Sequence, residues 1–187
     1  MAFAMHFGFT NVAELLVERG AKLDLRFAAG VGDLTALRSF ISSDGTLKVG
    51  AGELADPYTR SESSDDESRY QMERSRENVL LQAFYFACRA GRLDAASFLL
   101  EQGIEVNDVV PGLDVDATAL HLCCWWGTSD GKTVDWHDTE KRCIGAARFF
   151  LENGADPMST KARNNSTPMD WAAADSVKAV ISEFVKG

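Results

Sequence analysis

The stretch ACRAGRLDAASFLLEQGI, residues 87–104, decides the fold, because degraded copies of it recur along the chain. Its first half is an Ala-rich segment that ends at Gly91. Its second half carries three apolar residues, an acid, a polar residue and then Gly103. The second half recurs as ELLVERGA at 14–21 and as RFFLENGA at 148–155. Self-similarity of this kind indicates a chain built from a repeated unit.

The spacing of the copies indicates the structure of the unit. Gly91 and Gly127, which end the first halves of two units, are 36 residues apart, and the period is about 33–34 residues once the insertions are removed. Gly20, Gly103 and Gly154 each follow a second half, where a left-handed residue commonly ends a helix. Each unit is predicted to be a pair of short antiparallel helices that buries its apolar face by stacking on its neighbours. Apolar residues three and four apart predict the buried stripes: Val12, Leu15 and Leu16; Leu34, Leu37 and Ile41; Ala95, Phe98 and Leu99.

Two segments resemble the ankyrin repeat, whose pattern is T-P-L-H-x-A-A-x-x-G followed by L-L-L-x-x-G-A-D. They are TALHL at 118–122 and TPMDW at 167–171, and GA at 20–21 and GAD at 154–156 match the end of the pattern. The resemblance covers roughly 1–41, 78–107 and 113–187. It implies an all-α ankyrin-repeat solenoid of about five stacked helix–turn–helix repeats, with hairpin-like loops on one side, used for binding proteins. A single domain is predicted, with repeats at about 1–24, 25–44, 74–107, 113–156 and 162–187.

The chain departs from the family pattern in three ways. The first repeat begins inside its first helix, the second lacks its hairpin, and residues 42–77 and 128–142 are insertions. We predict that the acidic insertion at about 45–73, with SESSDDES at 61–68, is a solvated surface loop. The alternatives are an acidic or phosphorylated contact for a basic partner and a partly ordered flap containing LADPY at 54–58. Residues 69–77 have helical composition and are expected to lengthen the following helix.

Composition and charge exclude several classes of function. The chain has 187 residues, with 19 Lys and Arg against 28 Asp and Glu, so its net charge is −9. An acidic chain repels phosphate backbones and anionic lipids, so we expect no nucleic acid and no membrane as its main partner. We expect no signal peptide in MAFAMHFGFT at 1–10, because no Lys or Arg precedes its apolar residues. A cytoplasmic, monomeric protein is the expectation, with its four cysteines serving as small hydrophobic residues.

The residues that could carry chemistry are few. A zinc site at Cys123, Cys124, His137 and Cys143 is not favoured, because adjacent cysteines point in different directions on a helix and no C-x-x-C spacing exists. A catalytic Cys143–His137 pair would require an oxyanion site, and we find no Gly-rich nucleophile turn or phosphate loop. We therefore expect no enzyme activity, metal or cofactor. The resemblance implies that Thr118 and His121 are structural and tie neighbouring loops together by hydrogen bonds.

The resemblance also indicates where a partner would bind. The two positions before the Gly of each first helix commonly face the partner; they hold Trp125 and Trp126 in the fourth repeat and Arg89 in the third. Exposed Trp and Arg are residue types that anchor interfaces. The alternative is that one or both tryptophans cover the hydrophobic flank of an adjacent repeat or insertion. Counting back from Thr118 and Thr167 predicts the hairpin tips: Asp114 and Val115, then Arg163 and Asn164.

The sequence therefore predicts a protein-binding module, an intracellular adaptor or regulator, that recognises a partner through its concave surface. The insertion at 128–142 is predicted to pack Trp136 onto its own repeat, or to form a second binding edge with Trp136 and His137. A small-molecule or metal-responsive protein that uses the 128–143 region is the alternative. A third interpretation is a capping fragment of a longer repeat protein.

Overall fold

The computed structural model describes residues 1–52, 75–110, 117–125 and 136–185, with residues 136–139 and 163 described by their backbone alone. These residues belong to two compact units. The first unit is Met1–Ile104 with Val110–Asp114, and the second is Glu105–Val109 with Val115–Gly187. The single-domain prediction stays a prediction.

The described residues are almost entirely helical, as the sequence predicts. The first unit contains α1 to α6: Ala2–His6, Thr10–Glu18, Leu25–Val31, Leu34–Ser39, Arg76–Arg89 and Leu93–Leu100. The second unit contains α7 to α10: Ala119–Cys124, Trp136–Glu152, Pro168–Trp171 and Asp175–Val185. Strand-like pairing in the described part of the chain is confined to isolated bridges, such as the one between Ala117 and Ala162. The all-α prediction is confirmed.

Local sequence signals set the helix ends in the first unit. The carboxylate of Asp24 accepts a hydrogen bond from the Phe27 amide (2.9 Å) and begins α3. Ser75 does the same for the Asn78 amide (3.1 Å) at the start of α5. Such N-caps satisfy amides that have no partner within the helix. The Ser75 backbone is extended, so α5 begins at Arg76. Of the residues expected to lengthen this helix, 76 and 77 belong to it, Ser75 does not, and 69–74 lie outside the described residues.

The core of the first unit lies around α5, which packs on α3 and α6. Its side chains from Val79 to Arg89 are all buried. The predicted stripes are confirmed at Leu37, Ala95 and Leu99. They are wrong in α2, where Val12 and Leu15 are 47% and 48% exposed.

The predicted stripe of α2 is wrong because the neighbouring helices cover a different side of this helix. This helix packs on α1 and α3. It does so through the side that carries Ala13, which is fully buried. The apolar residues at 12 and 15 lie on the side that faces solvent.

The start of the acidic insertion is folded onto the first unit. Residue Ile41 pairs with Leu47 across a tight turn. The carbonyl of Ala51, which is buried, accepts a hydrogen bond from the Leu25 amide (3.1 Å). The expectation of a solvated loop is therefore wrong at Ala51, whereas Thr46, Lys48 and Val49 are exposed as expected. The segments LADPY and SESSDDES lie outside the described residues.

The second unit is held together around α7 and α8. Helix α7 packs on α8 and α9, and α10 packs on α8 and α9. Leu120, Leu122, Phe150 and Ile181 fill its core. Within this unit, the Asn107 side chain donates to the Gly154 carbonyl (3.0 Å) and accepts from the Asp156 amide (2.8 Å).

The predicted helix ends at glycine are confirmed. Gly20, Gly103 and Gly154 have φ angles of 86°, 83° and 88°. This left-handed conformation is accessible to glycine without the steric conflict that a Cβ brings. Among the described residues, no helix is long and apolar enough to span a membrane.

Candidate functional site

Buried His121 organises the loops of the second unit. Its Nε2 lies 3.1 Å from the Ser159 carbonyl oxygen and 3.0 Å from that of Ser166. Carbonyl oxygens only accept, so Nε2 carries the proton, and Nδ1 accepts from the Thr118 hydroxyl at 2.7 Å. Burial lowers the pKa of His121, which favours this neutral form. The interpretation of Thr118 and His121 as structural residues that tie loops together is confirmed.

This network positions a pair of tryptophans. The Trp171 indole N–H donates to the Ser166 hydroxyl (2.5 Å), and its ring meets the His121 ring edge to face, with centroids 5.6 Å apart. Trp125 meets Trp171 edge to face, with centroids 6.1 Å apart. Edge-to-face packing is a favourable geometry for aromatic rings. Trp171 is half-buried, whereas Trp125 remains 41% exposed.

The loop before Trp171 supplies an exposed turn. Ala162 pairs with Ala117, and a single turn of 3-10 helix follows at Arg163–Asn165. Asn164 has a φ of 69°, a left-handed conformation that Asn tolerates better than most residues, and its side chain is exposed. Asn164 therefore lies in an exposed turn, and its role at a hairpin tip that contacts a partner stays a prediction.

A capping box fixes where the chain enters α9. The Thr167 hydroxyl accepts from the Asp170 amide, and the Asp170 carboxylate accepts from the Thr167 amide at 2.8 Å. The bonds that the Asp170 carboxylate accepts from the Thr167 amide and from the Thr167 hydroxyl lower the pKa of Asp170 below its ordinary value. Helix α9 has a single turn, so these bonds hold Trp171 in position.

Arg89 lies at the end of α5, but its side chain is buried rather than exposed to a partner. Its side chain is only 2% exposed, so the expectation that it projects from the surface is wrong. The cause is the close approach of Gly8, where a Cβ would lie 2.8 Å from the Arg89 Nη2. A side chain on residue 8 would collide with the guanidinium, and the glycine backbone covers it.

The remaining predicted binding residues are described in part or not at all. Trp126, Asp114 and Val115 lie outside the described residues. For Arg163, Trp136 and His137 the structure describes the backbone alone, with Trp136 and His137 in the first turn of α8. Their roles in partner binding stay predictions.

The cysteines form part of the core. All four are buried: Cys88, Cys123, Cys124 and Cys143. Burial, together with the neighbouring thiols of Cys123 and Cys143, raises the pKa of the Cys124 thiol well above its ordinary value, which disfavours the reactive thiolate. Within the described ranges, no three His, Cys, Asp or Glu side chains are grouped so that they could hold a metal ion.

Sequence reasoning missed two features. One is the role of Trp171, whose ring supports the Trp125 ring. Trp171 belongs to the TPMDW segment at 167–171, which resembles the ankyrin repeat. The other is a buried polar network between α3 and α5. There the Arg26 guanidinium donates to the Asp24 carboxylate (2.8 Å) and to the Gln82 side-chain oxygen (2.5 Å). All three side chains are fully buried, and no sequence pattern distinguishes them from surface residues.

Comparisons with known proteins agree with this architecture. Residues 84–136 match the family model described as ankyrin repeats (many copies). The matched segment runs from the middle of α5 to the first residue of α8. A comparison with curated protein sequences finds no match.

Proposed function

We propose that this chain, in which residues 84–136 match ankyrin repeats, is a non-enzymatic module that binds another protein. Ankyrin repeats generally serve protein–protein interaction, and their family is typically non-enzymatic. The proposed role is that of a cytoplasmic adaptor or regulator, monomeric in its free state. The proposed binding surface is the side of the second unit on which Trp125 lies, the side that the family resemblance implies is concave.

The exposed ring of Trp125 is the observation that carries this proposal. A partly exposed tryptophan offers a large apolar area with few rotatable bonds, so a partner gains contact area at a small cost in entropy. Its edge-to-face contact with Trp171, itself held by Ser166 and His121, keeps the ring in one orientation. A pre-oriented anchor of this kind is typical of interaction hot spots.

Charge and loop structure indicate the chemistry of the partner. The net charge of −9 favours association with a protein that presents a basic surface, because long-range attraction raises the encounter rate. The exposed Asn164 turn, which is joined to Trp171 through Ser166, adds donors and acceptors beside the aromatic pair. We propose that the partner contacts the tryptophan with apolar atoms and the turn with polar ones.

The proposal is tested with Trp125→Ala and a matched control, Met158→Ala. Met158 is an exposed apolar residue of the same unit, 55% exposed. Partners captured by the wild-type protein are identified by mass spectrometry, purified, and titrated against each variant by calorimetry. We expect Trp125→Ala to weaken binding by about 2 kcal/mol or more, the usual hot-spot threshold. The control should change the affinity less than threefold.

Melting curves of the same variants separate binding from folding. Trp125 is 41% exposed, and its edge-to-face contact with Trp171 contributes about 0.5–1.5 kcal/mol, so Trp125→Ala should lower the free energy of unfolding by less than about 2 kcal/mol. Unchanged affinity together with a large loss of stability would show that Trp125 supports the fold, and would overturn the proposal.

A further inference from the structure

Residue Ser166 joins the exposed turn of the second unit to the tryptophan pair. Its hydroxyl accepts the hydrogen bond from the Trp171 indole N–H (2.5 Å), and its carbonyl oxygen accepts from His121 Nε2 (3.0 Å). Ser166 is half-buried, so part of the residue is accessible to solvent. A chemical change at this hydroxyl would therefore act directly on the residue that supports the Trp125 ring.

The backbone before Ser166 is held in an unfavourable conformation. Asn164 and Asn165 have φ angles of 69° and 54°, so two successive residues that carry a Cβ are left-handed, and both are exposed. Such conformations persist only where the surrounding contacts hold them. Ser166 and Thr167 are already extended, with ψ angles of 153° and 163°. Opening the turn costs the hydrogen bond from the Asn165 amide to the Ala162 carbonyl (3.0 Å), relieves strain at two residues, and leaves the next two unchanged.

The residues before Ser166 carry positive charge in an acidic chain. Arg163 lies three residues before the serine and Lys161 five residues before it, and no Asp or Glu lies between Lys161 and Ser166. Charge patterns around the acceptor residue set the substrate choice of protein kinases, and many serine/threonine kinases select an arginine three residues before the acceptor. The same Arg-x-x-Ser pattern occurs at 60–63, where acidic residues follow within a few positions.

A phosphate on Ser166 would meet negative charge and few hydrogen-bond donors. The Thr167 amide and hydroxyl already donate to the Asp170 carboxylate, the Asp170 amide donates to the Thr167 hydroxyl, and Pro168 has no amide hydrogen. A phosphate dianion is repelled by a neighbouring carboxylate. The serine oxygen would also become an ester oxygen, which is a poorer acceptor for the Trp171 indole. Phosphorylation should therefore break the contact between Ser166 and Trp171.

We propose that Ser166 is a phosphorylation site for a serine/threonine kinase that selects Arg163, and that the phosphate releases Trp171 from Ser166. The Ser166 oxygen attacks the γ-phosphorus of ATP, the bond from that phosphorus to the bridging oxygen breaks, and ADP leaves. The hydroxyl proton passes to the catalytic carboxylate of the kinase. Once released, Trp171 no longer holds the Trp125 ring in one orientation, so the partner binds more weakly. This last step rests on the proposed role of Trp125, whereas phosphorylation and the release of Trp171 do not.

The first experiment locates the phosphate in the full chain. The protein is incubated with Mg-ATP and a calmodulin-dependent serine/threonine kinase, which selects arginine three residues before its acceptor, and tandem mass spectrometry identifies the site. We expect phosphate on Ser166 in the wild type and in Ser63→Ala, which removes the acceptor of the other Arg-x-x-Ser pattern. Arg163→Gln should slow incorporation at Ser166 at least tenfold. Lys161→Gln, the matched loss of a positive charge two residues away, should slow it less than threefold.

The second experiment follows the Trp171 indole N–H by nuclear magnetic resonance. Its signal is assigned by its absence from the spectrum of Trp171→Phe. Phosphorylation should shift this signal and speed its exchange with solvent at least tenfold, because its acceptor is lost. The protein incubated with the kinase but without ATP is the control and should keep the original signal.

The third experiment measures binding of the partner captured with the wild-type protein. Phosphorylation should weaken its binding to the wild type at least tenfold. In Trp125→Ala the anchor is already absent, so phosphorylation should change the affinity less than threefold.

Several results would overturn the proposal. A kinase that phosphorylates a peptide of residues 158–172 but not the folded chain would show that the turn does not open. Absence of phosphate from both would show that this segment is no kinase substrate. An unchanged Trp171 signal in the phosphorylated chain would show that Ser166 does not control the tryptophan pair. If phosphorylation leaves the affinity unchanged while Trp125→Ala weakens it, the regulatory step is wrong; if Trp125→Ala also leaves it unchanged, the proposed role of Trp125 is wrong, and the first two experiments still decide the phosphorylation site.

Discussion

Acidification should destabilise the first unit through one buried histidine, His6. Burial of its ring, together with the nearby Arg89 guanidinium, lowers its pKa from 6.5 to about 3. The folded protein therefore keeps the ring neutral, whereas the unfolded chain binds a proton below about pH 6.5. The stability that depends on neutral His6 is present above that pH and is lost as the pH falls towards 3.

The size of the effect follows from the two pKa values. At pH 5 the unfolded chain lies about 1.5 pH units below the ordinary histidine pKa, while folded His6 is still unprotonated. At about 1.36 kcal/mol per unit, the expected loss is roughly 2 kcal/mol relative to pH 7.5. If α1 detaches before the rest unfolds, the loss levels off at the free energy with which α1 is docked.

The measurement compares the wild type with His6→Gln. Glutamine keeps a hydrogen-bonding group for the Tyr85 hydroxyl but does not titrate. Urea denaturation, followed by far-UV circular dichroism at pH 7.5 and pH 5, gives the free energy of unfolding of each protein. The buried Asp24, whose pKa is raised mainly by burial, titrates in both proteins and cancels in the difference.

We expect the advantage of the wild type over His6→Gln to shrink by about 2 kcal/mol between the two pH values. A difference that stays constant within about 0.5 kcal/mol would refute the reasoning. It would show that His6 titrates normally in the folded protein, and so that α1 does not bury it.

Two further predictions concern packing and capping. Leu99→Ala and Leu151→Ala remove buried side chains, one from each unit, and each should lower the free energy of unfolding by about 2–5 kcal/mol in urea denaturation. Losses of unfolding free energy below about 1 kcal/mol at both sites would contradict the assignment of Leu99 and Leu151 to the buried sides of their helices. Thr167→Ala removes the capping box of α9 and should lower stability by about 0.5–2 kcal/mol, whereas Thr167→Ser should stay near the wild type. Tryptophan fluorescence in thermal melts follows this change, and equal melting of the two variants would contradict the role of the cap.

The sequence predicts the helices because their signals are local. Apolar spacing, the capping residues and the glycines at 20, 103 and 154 act within one or two turns, and the structure confirms those helix ends. The Thr118–His121 pair was also predictable, since the family resemblance supplies its long-range partners. Contacts between residues that are far apart in the sequence were predicted less well. Residues 45–52 have the composition of a loop, yet Ala51 is buried by contact with the chain near Leu25.

The position of a residue within the repeat does not determine whether its side chain is exposed. Trp125 and Arg89 occupy the same place relative to the glycine of their repeats, one being 41% exposed and the other 2%. The difference lies in what covers each position: Gly8 approaches Arg89 from a segment 81 residues away in the chain. No period of 33 or 34 residues encodes that contact, because it depends on a glycine outside the repeat that it covers. A repeat pattern therefore predicts where a side chain emerges from its helix, and only the packing of the whole unit decides whether a partner can reach it.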